Sequence, residues 1–143
     1  MGKVTVICGP PGSGKTTLVR RIASPGDLVI DVDAIYQALS GLAVYHKPEP
    51  SRVLAARDGA LNHLEAAADV AAWIITTGAR VAERNALQQR FDARVVVLAV
   101  PIDECLRRIA QDATRSGSLS DWKPLVAKWW SEYEPDDSDL VLN

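Results

Sequence analysis

The sequence is poor in the residues that staple or metallate a small fold. It has two cysteines and two histidines in 143 residues. Cys8 ends an apolar β-branched run and Cys105 falls on a helical apolar face. Both read as buried thiols rather than a disulfide or a metal pair. His46 and His63 lack metal-ligand spacing and read as loop or structural residues. No apolar run approaches the length of a membrane span, and no signal-peptide pattern precedes the first strand. The expectation is a cytoplasmic protein with no membrane partner. Cations are not in excess either. The formal charge of −2 argues against a broad non-specific nucleic-acid coat and leaves room for a local basic groove. Without internal repeats or low-complexity segments, residues 1–143 suit one domain with one core.

What is present is concentrated in Gly9-Pro10-Pro11-Gly12-Ser13-Gly14-Lys15-Thr16-Thr17, which fits the pattern G-x-x-x-x-G-K-[ST] in full. Residues 3–8 before it are largely β-branched and apolar and read as a buried strand; Leu18, Val19, Ile22 and Ala23 after it share a helical face. Glycines let the backbone approach a polyanion, and successive N–H groups at a helix start form an anion nest. Lys15 can reach the β- and γ-phosphates of a nucleotide, and the Thr16 hydroxyl can ligate Mg²⁺. A loop that binds nucleotide without using it is the alternative.

Further strands are expected at 28–33, 73–77, 94–100 and 140–142. Between them, a short helix carries Ile35 and Leu39, and residues 42–51 read as a loop. Ser51 is expected to cap a helix to about Asp69, with Leu54, Leu61, Leu64 and Ala68 inward. A helix at 81–91 uses Leu87 and Phe91, and one capped by Asp103 buries Ile102, Cys105, Leu106 and Ile109. Another, capped by Ser120, carries Trp122, Leu125, Val126, Trp129 and Tyr133. This alternation implies an α/β fold, a parallel sheet with helices on both faces. Ligands in such sheets bind beyond the carboxyl ends of the strands, where Gly9 to Thr17, Asp31, Asp33 and Arg80 converge.

Asp31 and Asp33 are expected on one face of the second strand. One carboxylate can accept a proton from a substrate hydroxyl and the other can hold the Mg²⁺ shell; alternatively Asp33 only caps the next helix. The third strand ends in Thr76-Thr77-Gly78 without the acid that many phosphate-loop enzymes carry there. Arg108 and Arg115 share a helical face, with Asp112 between them. They suit cationic clamps on a short lid at about 103–120, hinged near Gly117, or else a solvated helix with an Asp112–Arg108 pair. Arg80 and Arg84 can hold a phosphate of the acceptor, or simply belong to a helix surface. Trp122, Trp129 and Tyr133 read as core, whereas Trp130 falls off that face and, if exposed, offers a surface for stacking on a base.

With these residues in view, the chain resembles the small phosphate-loop kinases, in particular the polynucleotide 5′-hydroxyl kinases and their relatives, which include many phage-encoded ATP-binding proteins. The resemblance rests on Gly9 to Thr17, the strand-end acids followed by Ile35-Tyr36, Thr77-Gly78 with Arg84 downstream, and Pro101-Ile102-Asp103 leading to Arg108 and Arg115. It implies a three-layer phosphate-loop fold with strand order 2-3-1-4-5, ATP with Mg²⁺, and γ-phosphoryl transfer to a hydroxyl. It also implies Asp33 as general base, Lys15 as phosphate clamp, and Arg108 and Arg115 as lid arginines. The leading expectation for the acceptor is a nucleic-acid 5′ end or a nucleotide. The rivals are a small metabolite or antibiotic, and a nucleotide-binding module with little chemistry.

Overall fold

The computed structural model describes residues 3–32, 34, 35, 38, 50–67, 69–112 and 118–142. Its strands are β1 (Val4–Cys8), β2 (Leu28–Asp31), β3 (Ala72–Thr76), β4 (Arg94–Leu98) and β5 (Leu140–Leu142). They form one five-stranded sheet in the order β2-β3-β1-β4-β5. Every pairing is parallel. The helices among the described residues are α1 (Lys15–Ile22), α2 (Pro50–Ala66), α3 (Val81–Phe91), α4 (Ile102–Gln111) and α5 (Leu119–Glu132). The fold class and strand order are as the sequence led one to expect.

Strand alternation divides the core into two layers. Val6, Ile74 and Val95 join Leu61, Leu64 and Trp129 on one face, while Ile7, Ile75 and Val96 join Val19, Cys105, Ile109 and Trp122 on the other. A central strand covered on both faces is largely apolar, which is why β1 (VTVIC) and β4 (RVVVL) read as mostly β-branched runs. Helix α5 serves both layers, with Trp122 near its start and Trp129 near its end.

Several boundaries differ from expectation. β2 ends at Asp31, in register with Ile75, and Val32 is already helical. Of the two acids expected on its face, Asp31 closes β2, and Asp33 lies outside the described residues. Helix α2 includes Pro50 instead of starting after Ser51, and ends at Ala66. It buries Val53, Leu61 and Leu64 and leaves Leu54 exposed. Ser118, not Ser120, caps α5, because only Ser118 has an acid three residues on: its N–H bonds the Asp121 carboxylate.

Both cysteines are free and buried. Burial pushes the Cys8 thiol from about 9.0 up to about 12, against the lowering effect of Arg84 and Lys15. The unfolded chain loses this proton at lower pH than the folded one, so stability should fall as pH rises from 9 to about 12. Urea titrations should show a steeper loss over that window for the native chain than for Cys8→Ala. Identical slopes would remove Cys8 as the cause.

Candidate active site

The phosphate loop leaves β1 at Cys8 and enters α1 at Lys15. Two glycines are forced by geometry. Gly12 has φ +80°, and a Cβ there would stand 2.6 Å from the Cys105 carbonyl oxygen and 2.8 Å from Ile109 Cγ1. Gly14 caps α1 at φ +92°, where a Cβ would crowd Arg108 Nη1 at 3.2 Å. The loop is therefore pressed against α4, and only glycine combines that backbone with that proximity. The free N–H groups of α1 open towards the cleft, with the positive end of the helix dipole behind them.

Lys15 Nζ donates to the Gly9 carbonyl at 2.8 Å and the Pro10 carbonyl at 3.0 Å. Thr16 Oγ1 donates to Asp31 Oδ2 at 3.1 Å, and Asp31 is 6% exposed. Arg108 Nη1 reaches across from α4 to donate to the Ser13 carbonyl at 2.9 Å. Its Nε lies 3.3 Å from Glu104 Oε1. Hydrogen bonding from Arg107, opposed by partial desolvation and aided by Arg108, holds the Glu104 carboxyl down to about 2. Glu104 therefore stays charged and holds Arg108 towards the loop.

These groups line a cleft of about 630 Å³. Pro11 to Thr17 face it, together with Asp31 and Arg108. Gly9 and Pro10, expected among the ligand-binding residues, sit underneath: Pro10 is fully buried and the Gly9 N–H bonds the Thr77 carbonyl at 3.2 Å. Arg20, Thr76, Thr77 and Asp112 also line the cleft. Arg20 was legible as a candidate, since it lies four residues after Thr16 on the same helical face. Asp33 and Arg115 lie outside the described residues, as does the 113–117 part of the expected lid.

Of the two arginines expected to hold an acceptor phosphate, Arg84 is corrected. Arg84 is 1% exposed and does not line the cleft. It donates to the carbonyls of Gly78 at 2.8 Å, Ala79 at 2.9 Å and Glu134, and its Nη2 lies 2.9 Å from Asp139 Oδ2. That ion pair lacks hydrogen-bond alignment at Asp139 Oδ2, and Arg84 Nε has no acceptor. Arg84 is thus a strut under the β3 exit. Arg80 is exposed beside Glu132, 3.8 Å from its carboxylate, and is also absent from the cleft lining. Trp130 is not a stacking surface. It packs against both core layers, and its indole N–H donates to the Val100 carbonyl at 3.1 Å.

Among the described residues no group of three His, Cys, Asp or Glu forms a metal cage. The Thr16 hydroxyl beside the Asp31 carboxylate nonetheless fits Mg²⁺, a hard cation that keeps several waters and takes few protein oxygens.

The sequence profile of the AAA domain family matches residues 4–130. The chain belongs to this family. An AAA domain of this kind spans nearly every element above. A shikimate kinase of Corynebacterium diphtheriae is 32% identical over 120 residues, which cover 78% of this chain and 65% of that relative. The chain thus matches just under two thirds of that relative's length. A gluconokinase structure from Sinorhizobium meliloti 1021 superposes with TM-score 0.63 at 16% identity, covering 97% of this chain and 81% of that one. A structure of the Pnkp1/Rnl/Hen1 complex gives TM-score 0.60 at 16% identity, covering 80% and 40%. At such identities the two structures share the fold. No helix among the described residues is long and apolar enough to cross a membrane.

Proposed function

We propose that this AAA domain is an ATP-dependent kinase that transfers the γ-phosphoryl group to a hydroxyl of a small metabolite. The observation that carries this reading is the meeting of Lys15, the Thr16–Asp31 pair and Arg108 around one cleft. The acceptor oxygen attacks the γ-phosphorus in line, the bond to the β–γ bridging oxygen breaks, and ADP leaves. Lys15 and Arg108 offset the charge on the phosphate oxygens. Thr16 and Asp31 are the residues that would hold Mg²⁺, which supplies further charge neutralisation when bound. By the family resemblance Asp33 would take the hydroxyl proton, and Arg115 would add a second cation to Arg108, which sits on the core helix α4 and not on a lid.

The acceptor is assigned against the leading expectation. A nucleic-acid end needs a phosphate clamp and a stacking surface; of the residues expected to supply them, Arg84 and Trp130 are committed to the fold, and Arg80, though exposed, does not line the cleft. The 32% identical relative is a shikimate kinase, and the gluconokinase shares the fold. A cleft of about 630 Å³ also suits a nucleotide with a compact partner.

A screen with radiolabelled ATP tests this. Label should pass to a hydroxylated small molecule such as shikimate or gluconate, and not to a 5′-hydroxyl oligonucleotide. Oligonucleotide labelling would restore the polynucleotide reading, and tight ATP binding without any transfer would favour a nucleotide-binding module. Asp33→Asn should abolish transfer with ATP affinity nearly intact; equal loss of both would remove it as general base.

A further inference from the structure

We infer that Trp129 is a positioning residue: its indole N–H fixes the exit of β3, and through it the phosphate loop, in the geometry that holds nucleotide. This deepens the kinase reading and rests on nucleotide binding at that loop.

The Thr77 carbonyl is the meeting point. It accepts the Trp129 Nε1–H at 2.7 Å and the Gly9 N–H at 3.2 Å. Thr77 lines the cleft, and Gly9 opens the loop. One oxygen thus ties the loop's first glycine to a wall of the cleft, and the shorter of its two bonds comes from α5. The indole is 3% exposed and stacked on Tyr133, with centroids 4.7 Å apart and planes 14° from parallel. Packing therefore fixes the direction of its N–H.

The neighbouring carbonyls are held in the same way. Arg84 takes Gly78 and Ala79, and the Glu134 N–H also reaches the Ala79 carbonyl at 2.9 Å. Carbonyls 77, 78 and 79 are all engaged from outside the strand, and only the first connects directly to the phosphate loop. Trp129 is the side chain that acts at that point.

Trp130 supplies a matched control. It sits in the same helix, packs in the same core, and donates one indole hydrogen bond, to Val100 at 3.1 Å. Val100 does not line the cleft. A purely structural indole bond should leave nucleotide affinity alike at either position.

The test compares Trp129→Phe with Trp130→Phe by urea denaturation and by calorimetric titration with Mg²⁺-ADP. Both variants should lose stability, Trp129→Phe the more because its indole is the more buried. Only Trp129→Phe should weaken ADP affinity, by about five-fold, the loss expected for one backbone-directed hydrogen bond. In transfer assays it should raise KM for ATP more than it lowers kcat. Unchanged affinity in both variants, or equal weakening in both, overturns the inference. Should Trp129→Phe not fold, benzothienylalanine at position 129 keeps the ring shape without the N–H, and the same outcomes apply. Wild-type ADP binding without transfer to any acceptor would sink the kinase reading alone, whereas no ADP binding would sink both.

Discussion

Lys15→Met should lower phosphoryl transfer by about 10³-fold, near the upper end of what one preorganised charge contributes in a water-poor site. The Lys15 ammonium is tethered by two loop carbonyls, Gly9 and Pro10. Nucleotide entry would exchange these carbonyl partners for phosphate oxygens while the charge stays within the loop. Lys15→Arg should recover little, because a planar fork cannot take the place of a compact point charge within this loop. Steady-state kinetics with a responsive acceptor would check both variants. Transfer by Lys15→Met within ten-fold of wild type would exclude the clamp role.

The second large effect concerns stability. Arg84→Met should destabilise the fold by about 3–5 kcal/mol, the usual cost of leaving a buried charge without its partner. The Asp139 side chain is 3% exposed, so its carboxylate would lose its counter-charge where water cannot replace it. Three carbonyls would lose a donor as well. Domain stabilities are typically about 5–15 kcal/mol, so much of the total is at stake. The double variant Arg84→Met/Asp139→Leu should be more stable than Arg84→Met, since removing both charges removes the uncompensated one. Urea denaturation reads both, and a double variant no better than the single one would mean that the lost carbonyl bonds dominate.

The parts of this chain that were legible in its sequence are those fixed by local spacing. The loop declares itself because phosphate binding needs glycine, lysine and threonine at set positions. The central strands declare themselves because burial on both faces admits only apolar residues. Arg84 was not legible. Nothing within a helical turn of it reveals that Asp139, far along the chain, returns beside β4 and settles against it. Trp130 is hidden for a related reason: helical spacing places a residue on a face, but α5 contacts both core layers, so an off-face residue also packs against the core. The Ser118 cap was within reach, since the Ser118–Asp121 spacing meets the capping-box rule and Ser120 does not. The expected β2 stops at Asp31 because Val32 already takes helical backbone, although β3 continues beside it to Thr76.

The fastening of the β3 exit has a consequence for biosynthesis. Residues 77–79 are braced by Trp129, Glu134 and, through Arg84, Asp139. The phosphate loop emerges from a ribosome well before its braces, which lie more than a hundred residues further on. A nascent chain that already contains the loop, the first strands and the cleft's cations would still lack the side chains that set the wall beside the loop. Nucleotide binding should therefore switch on only once residue 139 has left the exit tunnel, so that a ribosome stalled earlier displays the loop without a working grip.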